Sequence, residues 1–176
     1  MFSVSAQDAD SVSFIIQNKM KDKVFRELFK QGIFEYQDKA LPSFKLSRLD
    51  GSEFDSKLLL GKPTIVNFWF TSCAPCLEEI PILNKLKDSY SDEINFIAIT
   101  FENREEIARF LERKPFNFIQ LVDANDFIKE LDVKTYPRTL ITDENMVVRY
   151  MDKLKPKDFA KFEEKLRGQI DEVLKR

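Results

Sequence analysis

Apolar positions recur along this chain with two periods, and the change of period divides it. Over residues 11–31, Ile16, Met20, Val24 and Leu28 return every fourth position with Phe25 and Phe29 beside them. Lys21, Asp22, Lys23 and Arg26 fall on the other faces, so the stretch predicts an amphipathic helix. Gly32 reads as its stop, and residues 37–43 (Gln-Asp-Lys-Ala-Leu-Pro-Ser) read as a linker. From Phe44 the pattern shortens: Phe44-Lys45-Leu46 and the segment after Asp50-Gly51 predict a small hairpin. Gly61-Lys62-Pro63 is a break, and Thr64-Ile65-Val66-Asn67-Phe68-Trp69-Phe70 is β-branched and aromatic throughout, the signature of a central strand buried on both faces.

Beyond it the pattern predicts a helix from 73–75 to about 90, a buried strand over 94–100 and a helix over 104–114. A short strand over 118–122 and a short helix over 126–131 follow. Strands over 139–142 and 147–151 flank Asp143-Glu144-Asn145 as an antiparallel hairpin. A last helix, from about Lys157, places Phe159, Phe162, Leu166 and Ile170 on one face. Alternating strands and helices closed by a hairpin and a helix predict a mixed α/β sheet with helices on both faces. Residues 1–38 form an N-terminal helical extension and 39–176 the main domain, a division in keeping with 176 residues.

Composition narrows the function. Both signs of charge are interspersed to a net of −2, which leaves no broad basic surface for nucleic acid. The longest apolar run, around Ile65 to Phe70, is too short to span a bilayer. Histidine is absent, which removes Ser-His-Asp triads and His-ligated metals, and two cysteines cannot supply the four ligands of a structural zinc. No cofactor and no metal are expected. The first residues include Val4-Ser5-Ala6, which suits the end of a secretory signal, but the charged start and apolar stretch of a signal are missing. A frayed terminus is the plain reading; a chain trimmed near a cleavage site, or a start assigned too late, is the sharper one.

The two cysteines, Cys73 and Cys76, stand three apart where the central strand runs into a helix. That is the end of an open α/β sheet where ligand sites collect. Attack on a disulfide needs a thiolate, and unpaired N–H groups at a helix N-terminus stabilise one at Cys73. Cys76, one turn on, is placed to resolve the mixed disulfide that Cys73 forms with a substrate. Pro75 suits the first helical turn, where its missing N–H costs nothing.

Trp69, Cys73-Ala74-Pro75-Cys76, Pro81 and Tyr136-Pro137 resemble the thioredoxin superfamily. Leu41-Pro42-Ser43-Phe44-Lys45-Leu46, Asp50-Gly51, Gly61-Lys62-Pro63 and Val66-Asn67-Phe68-Trp69 narrow the resemblance to the exported TlpA/ResA-type thiol–disulfide oxidoreductases, over roughly residues 40–173. It implies a thioredoxin-like fold and a cis peptide before Pro137, with the backbone of Tyr136 offered to an extended substrate segment. It implies that Pro81 kinks the active-site helix. Glu79 matches an acidic residue that lies near the cysteines and tunes their proton transfers, accepting a proton from Cys76; read from its neighbours alone, Glu78-Glu79 is a solvated helix face. Asn67 stands where thioredoxin has a buried Asp. The substrate-contacting set implied is Trp69, Ser72, Pro75, Tyr136, Pro137 and Arg138.

Two positions depart from the family pattern. Ser72 replaces the usual Trp, which predicts a more open and polar rim. Arg138 replaces the usual Thr: its guanidinium either lowers the pKa of Cys73 and favours an acidic partner, or points into solvent. The resemblance further implies a protein thiol or disulfide substrate, a membrane electron donor, an extracytoplasmic, periplasmic setting and an association with cytochrome c maturation. A reductase is favoured over an oxidase because Ala74-Pro75 offers no His to stabilise the thiolate strongly. A thiol peroxidase fits less well, since Phe70 and Val66 stand where such enzymes carry Thr and Pro. A metal-binding module on the same fold would need wider cysteine spacing and a His.

Overall fold

The computed structural model describes residues 32–151 and 159–176, so the helix expected over 11–31 lies outside the described residues. Seven strands form one sheet: β1 (Lys45–Arg48), β2 (Glu53–Asp55), β3 (Thr64–Phe68), β4 (Asn95–Ile99), β5 (Ile119–Val122), β6 (Arg138–Thr142) and β7 (Val148–Met151). Their spatial order is β2-β1-β5-β4-β3-β6-β7. Among the described residues four α-helices accompany them: α1 (Ala74–Tyr90), α2 (Arg104–Leu111), α3 (Asn125–Glu130) and α4 (Phe159–Leu174).

The all-buried run becomes the central strand, as its composition requires. β3 pairs parallel with β4 (Val66 opposite Ile97) and antiparallel with β6 (Val66 opposite Leu140), and every residue of it is buried. Strand alternation then sends Ile65 and Trp69 into one core and Val66 and Phe68 into the other. The first core holds Ile80, Leu83 and Leu86 of α1, Ile107 of α2, and Phe162, Leu166, Ile170 and Val173 of α4. Burying a side chain of this size is worth roughly 2 kcal/mol, so α1 is anchored along its length even though Pro81 lies inside it. The second core holds Phe127 and Ile128 of α3 with Ile33, Leu41, Phe44 and Phe54. Phe159, expected in the core, is only partly buried at the start of α4.

Pro81 removes one helical hydrogen bond, because it has no N–H to give the carbonyl of Leu77. The Lys114 ammonium takes that place, donating to Leu77 O at 2.8 Å. This also explains why α2 stops three residues earlier than expected. The N–H groups of Arg113 and Lys114 both turn back to Phe110 O at 3.0 Å, and Pro115 follows. The start of α2 carries a capping box, with Asn103 Oδ1 accepting from Glu106 N at 2.9 Å and Glu106 Oε2 accepting from Asn103 N at 3.3 Å. In the β1–β2 hairpin the Asp50-Gly51 turn forms as its sequence demands, with Gly51 at φ +87°.

The segment expected to be a stop and a linker is instead built into the sheet. Gly32–Tyr36 is a 3-10 turn, and the chain after it docks along β7. Asp38 N donates to Val148 O (2.9 Å), Val148 N to Lys39 O (3.0 Å) and Leu41 N to Met146 O (3.0 Å). Ile33 and Leu41 are buried. The physical reason is the edge: β7 ends the sheet, its outer N–H and C=O groups need partners, and this strap supplies them despite a polar composition that reads as a linker.

Candidate active site

β3 ends at Phe68, and the chain then turns through residues 69–72 to make Cys73 the N-cap of α1. Cys73 and Cys76 are joined as a disulfide with their Cα atoms 5.2 Å apart. Cys73 Sγ accepts the N–H of Cys76 at 3.3 Å, and Leu77 N donates to Cys73 O at 3.1 Å. The sulfur of residue 73 therefore sits against the unpaired amides of the first turn, where a thiolate gains most from the helix. In this oxidised form Cys73 is 5% exposed and Cys76 2%, so the difference in access between the two is small.

The turn before Cys73 is held by a residue that the sequence did not single out. Glu102, just past β4, accepts both the amide N–H of Thr71 (2.7 Å) and its hydroxyl (2.6 Å). The signal was topological: β3 and β4 are parallel neighbours, so their C-terminal ends must meet. Trp69 lies beneath this turn, 1% exposed, its ring 5.3 Å from those of both Phe110 and Phe116. It therefore supports the loop from below, whereas the resemblance set it among the substrate contacts. Ser72 and Ala74 are exposed and Pro75 half-buried, so the rim at Ser72 is polar and open.

Glu79 is 2% exposed on α1, not solvated. Three residues after Cys76 puts it on the same helical face as that sulfur. Asn67, on the disulfide's side of β3, donates from Nδ2 to Thr139 Oγ1 at 2.9 Å across the β3–β6 pair. The Tyr136–Pro137 peptide is cis. Pro137 is buried and Tyr136 half-buried, and burial pushes the Tyr136 phenol up from its ordinary value. Its ring meets Phe70 edge-on at 5.3 Å and Phe101 at 6.0 Å. Phe101 is among the large apolar side chains left exposed, so aromatic surface flanks the Tyr136-Pro137 loop.

Arg138 follows neither expectation. It opens β6 opposite Phe68, and alternation places its side chain with Leu140 on the face away from Ile141 and the cysteine core. The side chain is 1% exposed, with the guanidinium carbon 4.7 Å from the centroid of the Phe34 ring and Nη2 donating to Thr135 Oγ1. It neither faces Cys73 nor reaches solvent. Among the described residues no group of three or more His, Cys, Asp or Glu side chains gathers as a metal site would require, and no helix is long and apolar enough to cross a membrane.

A disulfide capping a helix at the end of a central strand of a mixed sheet flanked by helices defines a thioredoxin-fold thiol–disulfide oxidoreductase. The chain belongs to the Redoxin family, whose model matches residues 36–166. It is similar to the thioredoxin-like protein YneN of Bacillus subtilis, 31% identical over 112 residues that make up 61% of this chain and 66% of that one. It is also 31% identical over 124 residues to the thiol-disulfide oxidoreductase ResA of the same organism, covering 68% of each chain. The chain thus spans about two thirds of the length of these relatives. Among solved structures it resembles a thiol:disulfide interchange protein of DsbE type from Chlorobium tepidum, with a TM-score of 0.70, 20% identity, and coverage of 78% of this chain and 97% of that one. At that identity the likeness is one of fold.

Proposed function

We propose that this chain reduces disulfides in protein substrates, with Cys73 as nucleophile and Cys76 as resolving thiol. The observation that carries the reading is the placement of Cys73 Sγ as acceptor of the Cys76 amide at the start of α1. In the reduced chain that amide and the helix dipole favour the thiolate on residue 73. Cys73 S⁻ attacks one sulfur of the substrate disulfide, forming the mixed disulfide and expelling the other sulfur as thiolate, which takes a proton. Cys76 then loses its proton and attacks Cys73 Sγ. The internal disulfide forms, the substrate's second thiol leaves, and two electrons have passed to the substrate. Glu79, buried one turn beyond Cys76, is the group placed to receive that proton. Pro137 and the backbone of Tyr136 dock the substrate's extended segment, with Ser72 and Pro75 at the rim.

A chain oxidised in each turnover needs an external dithiol to reset it. The TlpA/ResA resemblance supports a setting outside the cytoplasm, a membrane protein as that electron donor, and apocytochrome disulfides among the substrates. Two measurements test the reading. The reduction potential of the Cys73–Cys76 couple is expected nearer the roughly −270 mV of a thioredoxin than the roughly −120 mV of a strong oxidant, and a value at the oxidising end reverses the direction proposed. In cells, Cys76→Ser is expected to accumulate a mixed disulfide through Cys73 whose partner identifies the substrate; absence of any Cys73-linked species sinks the assignment of roles.

A further inference from the structure

A buried cation demands an explanation, because desolvating a guanidinium costs several kcal/mol unless partners replace the water. Arg138 is among the largest fully buried side chains in the described protein, and nothing in dithiol exchange uses it there. Its known partners are informative in their positions. Thr135 and Arg138 stand on either side of Tyr136-Pro137, so the Nη2 to Thr135 Oγ1 hydrogen bond closes a ring of chain around those two residues. Phe34 covers the guanidinium from above with its ring face at 4.7 Å. Phe34 in turn belongs to the strap that is fastened to β7 through Asp38, Lys39 and Leu41, and Phe34 O accepts from Gln37 N at 3.2 Å.

We infer that Arg138 is a positioning residue: with Thr135 and Phe34 it clamps the Tyr136-Pro137 loop from the face opposite the disulfide, so that the strap preceding the redox domain sets the geometry of the substrate-docking backbone. This rests on the disulfide-exchange reading above and goes beyond it by giving the strap a part in substrate binding. Each component is suited to the task. A planar guanidinium both stacks on an aromatic face and donates in a fixed fork, which Lys cannot reproduce. A residue at the first position of β6 is also locked by the sheet, so its side chain transmits the strap's position directly to the loop it follows. The clamp acts on docking and leaves the sulfur chemistry untouched, because Arg138 and the cysteines lie on different faces of the sheet.

The test compares two disulfides that differ in size. Insulin offers peptide backbone to the Tyr136-Pro137 loop; cystamine offers none. In the full chain, Phe34→Leu and Thr135→Val are each expected to raise KM for insulin about tenfold, the loss of a desolvated cation–π or hydrogen-bonding contact. Their kcat and their rates with cystamine stay within about twofold of wild type, the tenfold scale above being the comparison. Phe34→Tyr, which keeps the ring face, is expected to restore the insulin KM. An unchanged insulin KM in both variants overturns the inference, as does a parallel fall for insulin and cystamine, the mark of a structural role only. Amide hydrogen exchange at residues 135, 136 and 138 separates this inference from the reading beneath it. If the wild-type chain is inert toward cystamine, the exchange reading falls. Faster exchange at those amides in Phe34→Leu still upholds the clamp, and unchanged exchange overturns it.

Discussion

On one face of the sheet, α1, α2 and α4 bury the cysteine pair, with Trp69 wedged beneath it and Glu79 enclosed on α1. On the other face, α3 and the strap bury Arg138 against Phe34. Both faces are largely aliphatic and aromatic, and the buried Glu79 and Arg138 stand in different relations to the chemistry. Glu79 is one helical turn from Cys76, whereas Arg138 bonds Thr135 just before Tyr136-Pro137 and packs on Phe34. On the proposed roles, one sheet with a core on each side separates proton handling from substrate positioning, with β3 and β6 as the wall between them.

The comparison breaks most visibly at Glu79. Glu79→Gln keeps the shape and removes the proposed proton acceptor, and exchange is expected to slow about a hundredfold, the usual scale of a lost general base. Its pH–rate profile should lose one ionisation while the melting temperature stays near wild type. A Gln variant that exchanges at the wild-type rate would return Glu79 to a purely structural part and leave the first face with no buried proton carrier.

The second face is sharpened through the hairpin that anchors the strap. Asp143 Oδ1 accepts the N–H groups of Asn145 and Val147, both at 2.9 Å, and Oδ2 accepts Arg149 Nε at 2.9 Å and Nη2 at 2.7 Å. Arg149 also lies 3.8 Å from Asp38 of the strap, and its carbonyl accepts Gln37 Nε2 at 3.0 Å. Burial alone would push the Asp143 carboxyl up, but the Val147 amide, the Arg149 guanidinium and the Asn145 amide outweigh it and hold it below the ordinary carboxylate value of 3.8. A lowered folded value means stability that is present above the unfolded value and lost as pH falls through the folded one. Asp143→Ala is therefore expected to cost about 2 kcal/mol at neutral pH. That gap to wild type should close as acid protonates the carboxyl. Urea melts of both proteins across the acid range measure it; a gap independent of pH would deny the charge its part.

Legibility in the sequence divides along the same line. The strand–helix order, the Asp50-Gly51 turn and the β6–β7 hairpin follow from periodicity and turn chemistry, which are local. The juxtaposition of Cys73 and Cys76 follows from one helix's own geometry, whereas Glu79 beside them is expected only from the family resemblance, since its neighbours read as a solvated face and the structure buries it. The strap and Arg138 escape such a reading for a physical reason. Residues 37–43 look like a linker because their partner, the open edge of β7, lies more than a hundred positions away. Arg138 looks like a surface cation because nothing near it in sequence announces Phe34. Glu102 is intermediate: the meeting of β3 and β4 ends was foreseeable, the identity of the residue that clamps Thr71 was not.

The smallest effect bears on whether the catalytic helix needs help from outside itself. Pro81 leaves Leu77 O, next to Cys76, without its helical donor, and Lys114 supplies the replacement from the segment after α2. A carbonyl in this position loses one charge-assisted hydrogen bond in Lys114→Met, a substitution that keeps the apolar stem along the helix. The net worth of such a bond is about 1 kcal/mol, since water takes over part of the acceptor's need. Denaturant midpoints of the wild type and Lys114→Met are expected to differ by that amount, with cystamine exchange little changed. Placing the same substitution on a Pro81→Ala background separates the causes. With its amide restored, the helix satisfies Leu77 O itself, and Lys114→Met should then cost almost nothing. Equal costs on both backgrounds would show that Lys114 stabilises the protein by some route other than mending the gap at Pro81, and that α1 holds its cysteines in place without that lysine.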